Sequence, residues 1–122
     1  MKKLVSFFEI PSVDFNRAVK FYETILGIEI PAHDWGSEKM AFFPEIDGEC
    51  SGSISWSEDF NPSKDGVLIH LNCEDINSTL SLIEKNGGKI HTPKTKIEAE
   101  GRGYFALFID SEGNRLGLYS DK

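Results

Sequence analysis

An α+β fold built from a duplicated βαβββ unit is the architecture this sequence predicts. Three observations carry the prediction. Phe8–Val19 aligns with Ile69–Leu80 at a shift of 61 residues, which sets Asp14 on Asp75, Asn16 on Asn77, Glu23 on Glu84 and Gly27 on Gly88. A shift of 65 sets Ala41–Gly48 over Ala106–Gly113, and in both an apolar strand runs into an acidic-Gly turn. The order of periodicities is also shared: a two-residue alternation, a helical stripe, a glycine, then alternation again.

Each element has a local reason. Asp14 and Asp75 stand where a carboxylate accepts from first-turn amides, so each predicts a helix N-cap. Phe15, Ala18, Val19, Tyr22, Ile25 and Leu26 recur at helical spacing, and Ile76, Thr79, Leu80 and Ile83 repeat the stripe. Gly27 and the pair Gly87-Gly88 stop the two helices. Strands are predicted at about 3–10, 28–33, 38–44 and 51–57, then 66–72, 88–92, 102–110 and 115–120. Asp47-Gly48 and Glu112-Gly113 suit hairpin turns. Ser57–Asp65 is polar and holds Pro62, as a linker would. The expected organisation is one domain over 1–122, with module one at about 1–57, a linker at about 58–65 and module two at about 66–122.

Composition narrows the function. The 122 residues carry 20 acidic against 13 basic side chains, a formal charge of −7. That argues against a phosphate-backbone partner and against an anionic membrane surface, so neither nucleic acid nor membrane is expected. No apolar run approaches the roughly 18 residues of a membrane span, and Glu9 interrupts the first apolar stretch, against a signal peptide. Cys50 and Cys73 form no C-x-x-C pair, which gives a structural zinc site no support. A single disulfide stays open; two reduced thiols in a cytoplasmic protein is the preferred reading.

The segment Val13-Asp14-Phe15-Asn16-Arg17-Ala18-Val19-Lys20-Phe21-Tyr22-Glu23-Thr24-Ile25-Leu26-Gly27 resembles the opening module of the vicinal oxygen chelate superfamily. That superfamily includes glyoxalase I, bleomycin-resistance proteins and extradiol dioxygenases. Phe108-Ile109-Asp110-Ser111-Glu112-Gly113-Asn114-Arg115-Leu116-Gly117-Leu118-Tyr119 resembles its closing hairpin, in a form similar to the lactoylglutathione lyase-related branch. The resemblance implies the glyoxalase-like fold: two βαβββ modules forming a curved mixed sheet around a shared cavity, commonly in a homodimer. It also implies four His, Gln or Glu ligands around a divalent metal. The matching positions here are Phe7, Gly52, Leu68 and Gly117, with Ser51 or Ser53 in place of Gly52 if the turns differ by one residue. Phe, Leu and Gly offer no donor and Ser is a poor divalent ligand. No metal or other cofactor is therefore expected.

Strand alternation supplies the candidates. It groups Val5, Phe7 and Glu9 on one face, Leu68, His70 and Asn72 on another, and Arg115, Gly117 and Tyr119 on a third. The purely apolar faces should pack on the helices. The faces carrying Glu9, His70, Asn72, Arg115 and Tyr119 should line the cavity. Glu9 and His70 map onto each other through the 61-residue shift. Three readings stay open: a carboxylate–imidazole acid/base pair, a pair of ligand-binding groups, or a buried structural pair. A relocated metal site is a further alternative, short of the three protein ligands usual for a catalytic metal.

Phe7, Phe42 and Trp56 are candidate pocket walls, with core as the alternative for the last two. Tyr104 follows Glu100-Gly101-Arg102-Gly103, where Arg102 would meet an anionic group or the loop would simply need its glycines. His33 and His91 are expected in solvent, and Cys73 as a plain residue at a strand exit. The favoured function is small-molecule binding without the superfamily's metal site. The alternative is a glyoxalase-like lyase or isomerase using Glu9 and His70 for proton transfer.

Overall fold

Two helices and eight strands form in the computed structural model, which describes residues 4–122. The first half gives β1 (Phe8–Pro11), α1 (Phe15–Leu26), β2 (Ala32–Asp34), β3 (Glu38–Phe42) and β4 (Gly52–Ser57). The second gives β5 (His70–Asn72), α2 (Ile76–Lys85), β6 (Lys89–Lys96), β7 (Tyr104–Ile109) and β8 (Arg115–Ser120). Each half closes its own four-stranded sheet, in the order β1-β4-β3-β2 and β5-β8-β7-β6. β1 runs parallel to β4 and β5 parallel to β8, while the other pairs are antiparallel. This is the α+β architecture the duplication predicts.

The helices start and stop for the reasons read from their residues. Asp14 Oδ1 accepts from Arg17 N at 3.1 Å, and Asp75 Oδ1 from Ser78 N at 3.2 Å. The Ser78 amide holds the Asp75 carboxyl below its ordinary range. α1 ends at Gly27, whose φ of 64° is left-handed and favours glycine. Tyr22 and Ile25 of α1, Ile76 and Ile83 of α2, Ile54 of β4 and Phe108 of β7 belong to one buried cluster that runs through both halves.

Strand boundaries shift for physical reasons. The prediction of strand at 3–10 falls partly on residues 1–3, outside the described residues; residues 4–7 are not strand, and pairing starts at Phe8. β2 starts at Ala32 instead of 28, because Ile30 N donates to Glu23 Oε2 at 2.9 Å and Pro31 has no N–H for a ladder. β5 is shorter than 66–72, and its ladder with β8 begins where Gly117 N donates to Ile69 O at 2.8 Å. β6 runs on past 92 to Lys96, because register shifts between Ile90 and Thr92 and between Thr92 and Thr95 break the alternation and absorb Pro93.

The β7–β8 turn does more than reverse the chain. Asp110 is buried; its Oδ2 accepts from Tyr22 Oη at 2.6 Å, and its Oδ1 from the Glu112 and Asn114 amides at 2.8 and 2.9 Å. Glu112 accepts from Val13 N at 2.9 Å, Asp14 N at 2.7 Å and Arg17 Nε at 2.8 Å. Asn114 donates to Pro11 O at 2.8 Å and accepts from Ser63 N at 3.0 Å. Three side chains of one turn thus tie module two to β1, to α1 and to the linker. Burial, then the charge of Asp110, pushes the Tyr22 hydroxyl well above its ordinary pKa. Burial alone would raise Glu112, but the Arg17 hydrogen bond and the backbone amides outweigh it and hold the carboxyl low.

Candidate functional site

Directly paired residues in a sheet share a face, so the register separates a helix-packed face from an open one. In the first sheet, Phe8, Ala41 and Ile54 turn to the core, while Glu9, Phe42, Ser53 and Ser55 stand on the open face. In the second, Ala106, Phe108, Leu116 and Leu118 are buried, while His70, Phe105, Leu107, Arg115, Gly117 and Tyr119 share the open face. Glu9, His70, Arg115 and Tyr119 stand on the open faces as expected, but they divide among separate cavities, and Asn72 lines none of the three.

His70 lies across β8. A Cβ on its partner Gly117 would clash with the imidazole, so the bare backbone there is what admits the ring. Phe105 meets the imidazole edge-on with centroids 6.3 Å apart. His70, Leu68, Ile97, Phe105, Leu107 and Tyr119 line a cavity of about 340 Å³. Its walls are apolar, with the imidazole and the Tyr119 hydroxyl as polar groups. Arg115, one strand step along, meets His91 instead, with Nη1 3.5 Å from Nε2.

Glu9 has different surroundings. Its Oε1 accepts from Ser55 Oγ at 2.8 Å, and Ser55 Oγ lies 3.0 Å from Ser53 Oγ. Glu9 lines a cavity of about 200 Å³ with Glu38, Met40 and Phe60. It also borders a cleft of about 370 Å³ beneath the linker, which reaches Arg115. His70 lines neither of these two cavities, so one chain does not gather the two mapped residues into one pocket.

The other candidates divide. Phe42 is on the open face, with its ring 5.8 Å from that of His33. Trp56 borders the Glu9 cavity, but its ring packs on the core and takes the Lys39 ammonium 5.0 Å from its centroid. Tyr104 also packs on the core, under Lys94 Nζ at 4.7 Å, because its strand neighbours put it on the helix side. Arg102 is exposed in its loop and Asn72 at the end of β5, and neither lines the cavities described above. Phe7 is half exposed ahead of β1. His33 and His91 are exposed as expected, and both cysteines are free thiols. Burial raises the Cys73 pKa, which leaves it a poor nucleophile.

Gly52 needs a correction. It faces the core, where an added Cβ would lie 2.7 Å from the Phe8 carbonyl oxygen and 2.8 Å from its ring. The cavity-facing place opposite Glu9 belongs to Ser53, because the turns of the two modules differ by one residue. Phe7, Ser53, Leu68 and Gly117 then stand where the resemblance puts metal ligands. The only oxygen among those side chains is already bonded to Ser55. That donor set does not fit a four-ligand divalent metal, and among the described residues no three of His, Cys, Asp and Glu cluster to make another.

Residues 4–118 match the family model of the Glyoxalase/Bleomycin resistance protein/Dioxygenase superfamily. The chain belongs to this superfamily. A "Glyoxylase-like domain-containing protein" from Didymella fabae is 31% identical, over 90% of this chain and 88% of that one. Among solved structures, an E144Q mutant of glyoxalase I from Zea mays superposes at a TM-score of 0.74 with 17% identity. The match covers 94% of this chain and 46% of the maize protein, so this superfamily member spans about half its length. The fosfomycin resistance protein FosX from Listeria monocytogenes matches at 0.68 and 18% identity, over 98% of this chain and 92% of FosX. UcmS2 matches at 0.68 and 21%, over the whole of both chains. These likenesses establish the glyoxalase-like fold.

Phe105, Leu107 and Ile97 also line the His70 cavity and were not among the residues expected there. The signal was present, because alternation continued across the β7–β8 hairpin puts Phe105 and Leu107 on the face of Tyr119.

Proposed function

We propose that this superfamily member binds a small molecule on the open face of its second sheet, without the superfamily's usual metal. The cavity beside His70 carries this reading. It is a shallow, open depression walled by aliphatic and aromatic side chains, with His70 and Tyr119 as its polar residues, the composition that ligand sites favour. The missing donors at the ligand positions support the metal-free part. A homodimer belongs to the same reading, since a second copy would cover the exposed Leu68 and Val67. Two free thiols suit a reducing, cytoplasmic setting. Proton transfer between Glu9 and His70 gains no support within one chain, where they line separate cavities.

A thermal-shift screen with metabolites and antibiotics tests the proposal, because a ligand that prefers the native state raises Tm by mass action. Hits whose shift disappears in Leu107→Asp are expected. Hits that keep their shift in that variant would move the site elsewhere. Elemental analysis of protein purified without chelator checks the metal: stoichiometric Ni, Zn, Fe or Mn lost in His70→Ala would overturn the metal-free reading.

A further inference from the structure

One feature of the second sheet is out of character with an acidic chain. Arg115 pairs with Ile109, and Ile109 pairs with Lys89, so the two cations share the open face at the ends of one cross-strand row. The register shift between Ile90 and Thr92 brings His91 beside them, with Nε2 against Arg115 and Nδ1 2.9 Å from Thr92 Oγ1. Thus Lys89, His91 and Arg115 form a basic row. None of the open-face positions fixed by the second sheet's pairing is Asp or Glu, although the chain carries 20 acidic residues. Among the described residues, no carboxylate lies within ion-pair distance of Arg115. Arg115 is partly buried, its Nη1 lies 3.5 Å from His91 Nε2, and Glu9 borders the same linker cleft without an ion pair to it.

The row lies one strand step from the apolar cavity and, through Arg115, borders the linker cleft. Leu107 opposes Gly117, and Arg115 lies two residues along β8, roughly 7 Å away at the usual strand rise. An apolar trough with basic groups nearby that make no ion pair among the described residues is complementary to an amphipathic anion. We propose that the ligand is a small organic acid, its carboxylate held by Arg115 with His91 and Lys89, its aromatic or aliphatic body laid against Leu107, Phe105 and Leu68. This rests on the cavity reading above and adds the charge of the ligand to it.

Two size-matched probes test it by calorimetry: 1-naphthoate, and the neutral 1-naphthalenemethanol. Wild-type protein is expected to prefer the acid by about tenfold, the scale of one charge-assisted hydrogen bond. Arg115→Gln should remove that preference and leave the affinity for the alcohol unchanged. Lys89→Gln, at an exposed position, should reduce it two- to threefold, and gives a second reading if the Arg115 variant folds poorly. Equal binding of both probes, or a preference that survives Arg115→Gln, would overturn the anion while the cavity stands. Binding of neither would overturn the cavity itself, and the anion with it. Sedimentation adds the remaining outcome. If Arg115→Gln splits a dimer and leaves the probe preference intact, the row pairs with the acidic open face of a second copy and the ligand proposal fails.

Discussion

The two modules share one topology and differ on the face the helices leave open. In module one that face carries Glu9, Ser53 and Ser55, already bonded to each other. In module two it carries Phe105, Leu107 and Tyr119 around His70, beside the basic row. Their turns differ as well. Asp47-Gly48 closes a short exposed bridge between Ile46 and Glu49, whereas Asp110–Asn114 spends its polar side chains on module one. The two halves share what folds each unit, namely the capping Asp, the helical stripe and the strand order, and they differ at the open face and the turn tip.

Paired substitutions test this asymmetry. The largest effect is expected at the turns. Asp110→Ala orphans Tyr22 Oη and the amides of Glu112 and Asn114 in the interior, and should cost about 3 kcal/mol or more in urea unfolding. Asp47→Ala, on the exposed turn with φ 54°, should cost about 1 kcal/mol. Equal costs would break the claim that one turn joins the modules.

The two strand glycines come next. Gly52→Ala meets the Phe8 backbone, which has no room to move, and should lose about 1–3 kcal/mol. Gly117→Ala meets the exposed His70 ring first. The ring swings aside, stability stays within ~0.5 kcal/mol, and the His70 ring resonances shift. A large loss at Gly117 would mean that His70 is held as firmly as a core residue.

Glu112 gives a smaller effect with a pH signature. Its carboxyl is held low in the folded state, so its contribution is present above the ordinary glutamate pKa of ~4.3 and is lost as pH falls through the folded value. Glu112→Gln should cost about 1 kcal/mol at pH 7, discounted for the half-exposed Arg17 partner, and should flatten the acid limb of the stability curve. An unchanged acid limb would assign that loss to other carboxylates.

Much of this was legible in the residues. The Asp caps, the helical stripes and the two-residue alternation placed both helices and the open faces, because each rests on contacts local in sequence. The same alternation singled out His70, Arg115 and Tyr119. What local rules do not carry is the relation between distant strands. A one-residue difference in turn length exchanged Gly52 for Ser53 on the open face, and the β6 bulges hid His91's place beside Arg115. Parity within the strand puts Trp56 and Tyr104 on the helix side, the core alternative already open for Trp56, which also borders the Glu9 cavity. The turn that locks the modules was invisible as a lock, since Tyr22 and Asp110 lie 88 residues apart.

The central claim is that the ligand site belongs to module two. Side-chain NMR of the wild-type protein, titrated with 1-naphthalenemethanol, tests it most directly, because a neutral probe reports the cavity without the basic row. The account predicts saturable shifts at Leu68, His70, Phe105, Leu107 and Tyr119, with Phe42 and Met40 unmoved. Saturable shifts at Phe42 and Met40, with His70 silent, would contradict it.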